Sequence, residues 1–143
     1  MGLTASPRMT LADNTKIEFP DGLPGFEGCR HFVLARPAEL APIALLESTE
    51  KDGISLPVLP VDQVSPRYQL NIGAKDEAQL GLGEKAVLGE NVIGLVVLVL
   101  AGKKGPPTCN LMAPIIINPA TGLAKQVVQF ESEYSCAYPL TAE

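Results

Sequence analysis

The sequence predicts an all-β fold, either a sandwich or a barrel. The chain of 143 residues contains thirteen Gly and thirteen Pro, and such frequent breaks leave little room for long helices. Between the breaks lie short runs rich in Val, Ile and Leu, which suit the pleated surface of a sheet. Because aromatic residues make up only 5% of the chain and Trp is absent, these aliphatic side chains must build the core. The length suits one domain, and we expect residues 1–143 to form it.

The longest apolar run covers residues 92–100 and is apolar on both faces, so this strand needs cover from two sides. Turn-rich connections predict two further strands at residues 108–118 and 126–130. In the last strand, Gln126, Val128 and Phe130 share the face that we expect to point inward. The Gln126 amide must then find hydrogen-bond partners near the core.

The remainder of the chain supplies five more short strands, at residues 17–19, 31–34, 43–47, 56–61 and 68–72. Pro57 and Pro60 cannot donate to a ladder, which predicts that the strand containing them lies at an edge or carries a bulge. Residues 76–80, with two acidic residues in the first turn, are the best helix candidate. We expect residues 1–14 to be a loose tail or a strand end, and residues 134–140 to pack across the barrel.

Glycines mark two positions where the backbone geometry matters. In the loop at residues 20–26, the Pro-Gly dipeptide predicts a turn in which Gly25 has a positive φ. Phe26 follows it as a hydrophobic anchor for the loop. Gly94 interrupts an apolar strand, which predicts that a neighbouring side chain or strand crosses closely there.

The charge and the cysteines exclude several classes of function. A formal net charge of −5 argues against direct nucleic-acid binding, which needs clustered Lys and Arg. It is compatible with a basic protein partner. Cys29, Cys109 and Cys136 are too far apart in sequence for a zinc motif, and we expect them to be reduced. We find no signal peptide and no run long enough for a transmembrane helix, so we expect a cytoplasmic protein.

No catalytic constellation emerges from the residues. The one histidine, His31, has no nucleophile motif to serve and is expected at the surface. Residues 81–86 match a loose dinucleotide-binding pattern but lack the preceding strand, and residues 102–105 lack the flanks of a phosphate loop, which favours a hairpin turn. Metal-ligand spacing is absent, so no cofactor or metal is predicted. A partner groove is expected where proline interrupts strand pairing, near Pro57, Pro60 and Pro114.

Two motifs resemble those of the flagellar assembly factor FliW family. The sequence FPDGLPGFE at residues 19–27 is similar to the family's N-terminal motif. The sequence NLMAPIIIN at residues 110–118, followed by KQVV at residues 125–128, is similar to its C-terminal signature. Between them, residues 45–48 and 58–62 fit the intervening positions. The closing segment, residues 134–140, departs from the family because it lacks the basic residue often found there.

The resemblance implies a small antiparallel β-barrel-like domain with one or two short helices and no enzymatic activity. It implies two protein partners, the RNA-binding translational repressor CsrA and flagellin. Members of the family bind CsrA away from its RNA surface, relieve its repression of flagellin translation and exchange it for flagellin. No nucleic acid or membrane is implied as a direct partner.

The resemblance also places residues. Those in the two motifs are expected to be structural, namely Gly22, Pro24, Gly25, Phe26, Asn110, Pro114, Asn118 and Gln126. For contact with a basic partner, the acidic candidates are Asp62, Asp76 and Glu77. The alternative is a barrel that binds a small molecule or acts as an enzyme, which needs polar side chains converging inside it. Gln126 and Asn110 are the candidates for that role, and a filled interior would count against it.

Overall fold

The computed structural model describes residues 11–99, 106–130 and 132–140. Nine strands and three short helices follow one another along these segments. In chain order they are β1 (Thr15–Glu18), β2 (His31–Ala35), a 3-10 helix (Ala38–Leu40), β3 (Ala44–Ser48), β4 (Ser55–Pro60), α1 (Val61–Val64), α2 (Ala74–Gln79), β5 (Ile93–Val99), β6 (Thr108–Cys109), β7 (Ile115–Asn118), β8 (Leu123–Gln126) and β9 (Tyr138–Pro139). The expected strands before residue 62 and the expected helix are therefore present, with bounds shifted by a few residues.

Seven of the strands close into a barrel in the order β4-β3-β2-β1-β8-β7-β5, and β5 then pairs with β4. The expected barrel is confirmed. Six of its ladders are antiparallel, but the joint between β1 and β8 is parallel and consists of the pair Glu18 and Leu123. The Glu18 N–H donates to the Gly122 carbonyl at 2.8 Å at this joint.

A second, smaller sheet branches from the barrel. The far half of β5 pairs with β6, and β6 pairs with β9. The Leu140 N–H also donates to the Pro107 carbonyl at 2.8 Å. The C-terminal segment therefore packs across the molecule as expected. The residues expected to form a hairpin turn at 102–105 lie outside the described residues.

The interior of the barrel is filled by apolar side chains. They share burial and mutual contact, and include Ile17, Phe19, Phe32, Leu34, Leu46, Val58, Ile93, Leu95, Ile115, Ile117 and Ala124. Phe19 and Phe32 meet edge to face, with ring centroids 5.3 Å apart. Two further apolar clusters cover the outside of β5 and β7, around Val96 and Leu111 and around Leu80 and Ile116. The strand β5 is thus covered on both faces, as its sequence predicts.

Gly94 lies on the outer face of β5, and the expected close approach is confirmed. A Cβ at this position would lie 3.0 Å from Leu88 Cδ2 and 3.0 Å from Val61 Cγ1. The close neighbours are therefore side chains of the outer layer. Only a glycine lets α1 and residue 88 pack so close to the strand.

The prediction of one strand over residues 108–118 is wrong, because the segment splits into β6 and β7. Between them the Asn110 side chain turns the backbone. Its Oδ1 accepts the N–H groups of Met112 at 3.0 Å and Ala113 at 3.1 Å. Pro114, which has no N–H, follows directly. These backbone donors are therefore unavailable to a ladder.

The prediction for the last strand of this region is also wrong, since β8 ends at Gln126. Its register nevertheless continues, because Val127 donates to the Pro114 carbonyl at 2.9 Å and Gln129 to the Met112 carbonyl at 2.7 Å. In an antiparallel ladder each hydrogen-bonded pair, which is every second pair, exchanges two such bonds. Here the return donors are a proline and an N–H already bonded to Asn110, so half of the ladder is missing.

The faces of this segment differ from the prediction as well. Val128 and Phe130 are exposed by 38% and 81%, whereas Val127 and Gln129 are buried. Ala124 points into the barrel, and Val128 continues the same face beyond the last barrel ladder. The opposite face is covered by the outer layer. The expected inward face is therefore correct only within the barrel.

The strand β4 is not an edge strand, contrary to the expectation from its prolines. It pairs with β3 through residues 55–58 and with β5 through residues 58–60. Pro57 lies opposite β3 before the β5 ladder begins, and Pro60 lies opposite β5 after the β3 ladder ends. Each proline thus has a paired strand on one side and none on the other. A proline is tolerated at such a position because one side of the strand needs no N–H donor.

Residues 68–72 do not form the expected ladder strand. Their burial alternates, but a side chain takes the place of the neighbouring strand. The Gln129 Oε1 accepts the Asn71 N–H at 2.7 Å, and its Nε2 donates to the Asn71 carbonyl at 3.0 Å. One buried amide therefore attaches this segment to the barrel.

Much of the expected loose tail at residues 1–14 lies outside the described residues. Of its last four residues, Leu11 is buried in the barrel core, and the Asn14 N–H donates to the Leu34 carbonyl at 2.8 Å. Among the described helices, none has the length and apolar character needed to cross a membrane.

Candidate partner-binding surface

The exposed side chain of Phe130 lies beside an open groove. Phe19 and Phe32 are fully buried, whereas Phe130 is 81% exposed. Together with Val128 it borders a groove of about 450 Å³, whose other wall is formed by Asn71, Gly73 and Asp76. We call this groove and its rim the Phe130 surface. An exposed aromatic side chain beside a groove is a candidate for contact with another protein, because aromatic residues contribute much of the energy of interfaces.

A second groove of about 580 Å³ adjoins the first, and Asn71 lines both. Its remaining walls include Gln69, Gln129, Glu133 and Tyr134. The Gln129 amide that binds Asn71 is 2% exposed, so the boundary between the grooves is held by a buried contact. Both grooves are open clefts at the surface, outside the filled barrel.

Tyr134 lines the second groove and contacts Tyr68. The rings of Tyr68 and Tyr134 are stacked with centroids 4.2 Å apart. The Tyr68 hydroxyl donates to the Leu111 carbonyl at 2.5 Å, and the Tyr134 hydroxyl accepts the Gln69 N–H at 2.8 Å. Burial, followed by the effect of Tyr134, raises the pKa of Tyr68 well above its usual value. Tyr68 therefore stays neutral and acts as a structural donor.

Charge on the Phe130 surface is arranged around Lys125. Its Nζ lies 2.7 Å from Asp76 Oδ1 and 3.9 Å from Asp21 Oδ2, and it also bonds Gln79. Asp21 is 64% exposed, and Glu133 is exposed on the adjoining groove. Lys125 and Asp76 balance each other, whereas Asp21 and Glu133 are negative and the exposed Lys75 is positive. The surroundings of the groove therefore carry a small excess of negative charge.

The three acidic residues predicted to contact a partner lie in different places. Asp76 belongs to the Phe130 surface and pairs with Lys125. Glu77 is half-buried, and its Oε2 accepts the Ala86 N–H at 2.7 Å. This bond joins α2 to the segment that follows it. Asp62 borders two smaller clefts beside Pro60. Their role in partner binding stays a prediction.

The motif residues have structural contacts. Asn118 Nδ2 donates to the Leu80 carbonyl at 2.8 Å, and its Oδ1 accepts the Ala120 N–H at 3.0 Å. Gln126 Nε2 donates to the Ala113 carbonyl at 2.9 Å. Asn110 makes the turn described above, and Pro114 is buried. The two side chains considered for a ligand site, Gln126 and Asn110, are thus engaged in bonds to the backbone.

The N-terminal motif forms a tight loop. Gly22 has φ +74°, and a Cβ there would lie 2.7 Å from the Glu27 carbonyl oxygen. Gly25 has φ +89°, which confirms the expected turn geometry. Phe26 is half-buried against the barrel core, as predicted for an anchor, whereas Pro24 is exposed.

Among the described residues, the remaining reactive side chains form no site. His31 is exposed, with Nδ1 3.4 Å from Glu50 Oε2. Cys29 and Cys109 are buried, Cys136 is exposed, and all are unpaired. Burial raises the pKa of the Cys109 thiol. Within the described segments, His, Cys, Asp and Glu side chains form no group of three that could hold a metal ion.

Sequence reasoning missed the exposure of Phe130, which lines the first groove, and the burial of Gln129, which lines the second. Their alternation was visible, but the alternating pattern does not tell where the barrel ends. The missing return donors at residues 112 and 114 are the physical signal. Of these two positions, only Pro114 can be recognised from the sequence as lacking a free N–H donor.

Comparisons with known proteins identify the family. A family model described as FliW protein matches residues 4–140. The chain belongs to the FliW family. The flagellar assembly factor FliW of Thermotoga neapolitana is 32% identical over 133 residues, covering 93% of this chain and 87% of the relative. That of Pseudothermotoga lettingae is 34% identical over 128 residues, covering 87% and 78%.

A solved FliW structure agrees with the fold. A crystal structure of the flagellar assembly factor FliW superposes with a TM-score of 0.77 at 27% identity, covering 94% of this chain and 92% of that one. The resemblance expected from the two sequence motifs is therefore confirmed. The chain is a member of a family of flagellar assembly factors.

Proposed function

We propose that this FliW-family protein is a non-enzymatic regulator that acts in the cytoplasm by binding other proteins. It binds the translational repressor CsrA, relieves repression of flagellin translation, and binds flagellin in exchange. The observation that carries this proposal is the family match across residues 4–140. The exposed Phe130 surface supports it, because such a surface is suited to protein contact.

The proposed switch requires that the two partners exclude each other. A stable protein interface covers roughly 800 Å² per partner, so overlap on a domain of this size is physically reasonable. If the sites overlap or are coupled, flagellin weakens CsrA binding by the same factor by which CsrA weakens flagellin binding. RNA behaves differently, because the protein is proposed to bind CsrA away from its RNA surface.

The test is a titration of fluorescently labelled CsrA with the full chain, alone and with flagellin. We expect saturable binding and displacement of CsrA by flagellin. A stable complex of all three proteins would contradict the exclusive switch. In a second titration with RNA present, we expect a transient complex of this protein, CsrA and RNA, with faster RNA release. An unchanged RNA dissociation rate would contradict the non-competitive mechanism.

The alternative of a ligand-binding or enzymatic barrel has no observation in its favour. The interior of the barrel is occupied by apolar side chains. Gln126 and Asn110 are bonded to the backbone. Polar groups converging on an internal cavity would be needed for that function.

A further inference from the structure

The segment that follows β8 has one open edge. Val127 and Gln129 direct their N–H groups to the carbonyls of Pro114 and Met112. Because successive residues of an extended chain direct these groups to opposite sides, those of Val128 point the other way. Within the described residues, the N–H and the carbonyl of Val128 have no hydrogen-bond partner.

The barrel explains why this edge is open. On that side the neighbour of β8 is β1, but the two strands pair only at Glu18 and Leu123. At Phe19 the chain still follows β2, since the Phe19 N–H donates to the Arg30 carbonyl at 2.7 Å, and it then enters a turn in which the Gly22 N–H donates to the Phe19 carbonyl at 2.9 Å. Among the described residues, no strand pairs with residues 126–129 on this side. The groove of the Phe130 surface adjoins these residues.

The side chains at this edge are apolar. Val128 and Phe130 are exposed by 38% and 81%, next to backbone groups that can pair with another strand. An open edge with an apolar face is a template for strand addition. The buried Gln129 contact to Asn71 keeps the segment in a fixed conformation, which lowers the entropy lost on binding.

Charge selects the kind of strand that fits. Lys125 is compensated by Asp76. Of the other charges nearby, Asp21 and Glu133 are negative and Lys75 is positive, so carboxylates remain in slight excess. A second copy of this chain, with a formal net charge of −5, would bring like charge to this rim. A segment flanked by Lys or Arg would bring opposite charge.

We propose that residues 126–129 accept an extended segment of a partner protein by strand addition, with alternating apolar side chains packed on Val128 and Phe130 and basic residues near the exposed carboxylates of Asp21 and Glu133. This inference rests on the proposed function, in that it gives a location for one of the protein contacts. It adds the mode of binding and the chemistry of the bound segment.

The test uses a fluorescein-labelled peptide, since the natural segment is unidentified. The peptide has a core of roughly six residues, a typical strand length, in which Val and Thr alternate, with two Lys at each end. Its anisotropy is titrated with the full wild-type chain and with Phe130→Ser. We expect saturable binding that Phe130→Ser weakens by about tenfold or more. Leu40→Ser is the matched control, because Leu40 is 41% exposed and borders neither groove, and it should leave the affinity unchanged.

Backbone pairing is tested separately from side-chain contact. Two further peptides carry N-methyl groups on alternate residues, so that each lacks the N–H donors of one edge. We expect the affinity to fall strongly for one of the two and little for the other. Equal affinities for both methylated peptides and the parent would overturn strand addition. Absence of saturable binding to the wild type, or equal binding by Phe130→Ser, would overturn the proposed site.

The full partners separate this inference from the proposed function. Calorimetric titrations measure the binding of CsrA and of flagellin to the wild type and to Phe130→Ser. If the wild type binds neither partner, the proposed function fails. If it binds them and Phe130→Ser binds both equally well, only the inference fails. A mass that rises with concentration for the wild type and not for Phe130→Ser would overturn it too, because the occupant is then a second copy.

Discussion

Gln129 shows how one side chain can replace a strand. Its amide binds both backbone groups of Asn71 and donates to the Val127 carbonyl at 3.4 Å. It is 2% exposed, and no described buried side-chain polar atom lacks a partner. The segment at residues 68–72 thus depends on a residue far away in sequence.

Replacing this amide tests its role. Gln129→Leu keeps the bulk but leaves the N–H and carbonyl of Asn71 without partners, so we expect a loss of about 1–3 kcal/mol in the free energy of unfolding. Amide exchange at Asn71 should accelerate with it. Gln69→Leu, at an exposed position on the same segment, is the control for denaturant unfolding. Equal stability of both variants would contradict the account.

Gly94 leaves no room for a side chain on the outer face of β5. Because side chains lie 3.0 Å from the site of its missing Cβ, Gly94→Val should overpack the outer layer and destabilise the protein by about 1–3 kcal/mol. Gly83→Val is the control, since nothing lies within 4 Å of a Cβ there. Thermal unfolding measures both. An unchanged or raised melting temperature for Gly94→Val would show that the layer adapts.

A substitution at Gly25 tests backbone strain without crowding. It has φ +89°, and nothing lies within 4 Å of a Cβ at this position. Gly25→Ala should therefore destabilise by about 1 kcal/mol through φ alone. Gly28→Ala, where the surroundings are equally open and φ is not in the left-handed region, should have little effect. Chemical denaturation compares the two, and equal losses would argue against strain.

At the scale of elements, the turn after β3 is fixed to the start of β2 by Glu50. Its Oε1 accepts the N–H groups of Arg30 at 2.6 Å and His31 at 2.9 Å. These bonds lower the pKa of Glu50 below its usual value of 4.5, with the larger effect from the His31 N–H and the smaller from the Arg30 N–H. The carboxylate form is the one that the fold stabilises.

The sign of the pH dependence follows from this direction. A carboxyl with a lowered pKa in the folded state contributes stability above the unfolded pKa and loses it as the pH falls through the folded value. Glu50→Gln should remove this contribution, so its stability should change less with acidification below about pH 4.5. Urea unfolding at several pH values measures it. Parallel pH profiles for wild type and Glu50→Gln would refute it.

The sequence predicted which segments form strands better than it predicted what those strands pair with. Residues 92–100 revealed β5 and its need for two covers, because aliphatic density depends on local composition alone. Burial also alternates at residues 68–72 as predicted, yet no ladder forms there. Whether an extended segment pairs with a strand or with the Gln129 amide depends on contacts between residues distant in sequence. The prediction that β4 is an edge strand failed for the same reason. Its two prolines lie where the ladder to one neighbouring strand has ended or not yet begun, and this depends on distant residues.

At the scale of the whole molecule, the charge predicts how a basic partner is captured. With a formal net charge of −5, association with such a partner should be electrostatically steered. Stopped-flow mixing with CsrA should show that rising ionic strength slows association far more than it speeds dissociation. Asp62→Asn, Asp76→Asn and Glu77→Gln test which of the three predicted acidic residues contributes. Association rates equal at low and high salt would exclude steering.

The candidate surface was harder to predict from the sequence than the family. The motifs at residues 19–27 and 110–118 are contiguous, so they can be read directly from the chain. The Phe130 surface joins residues 71–76 with residues 125–130, and it exists because the barrel ends at Gln126. No local pattern marks that end.

The parallel joint between β1 and β8 has a consequence for synthesis. The strands β1 to β4 form a continuous antiparallel meander, but the outer edge of β1 has no neighbour until residue 123 has left the ribosome. The closing contacts join residues about a hundred positions apart, and such distant pairings form slowly. For that interval the nascent chain carries an unsealed sheet, which can pair with other chains. Ring closure is thus a late event, and the yield of native protein in the cell should depend on how fast the last third of the chain is translated.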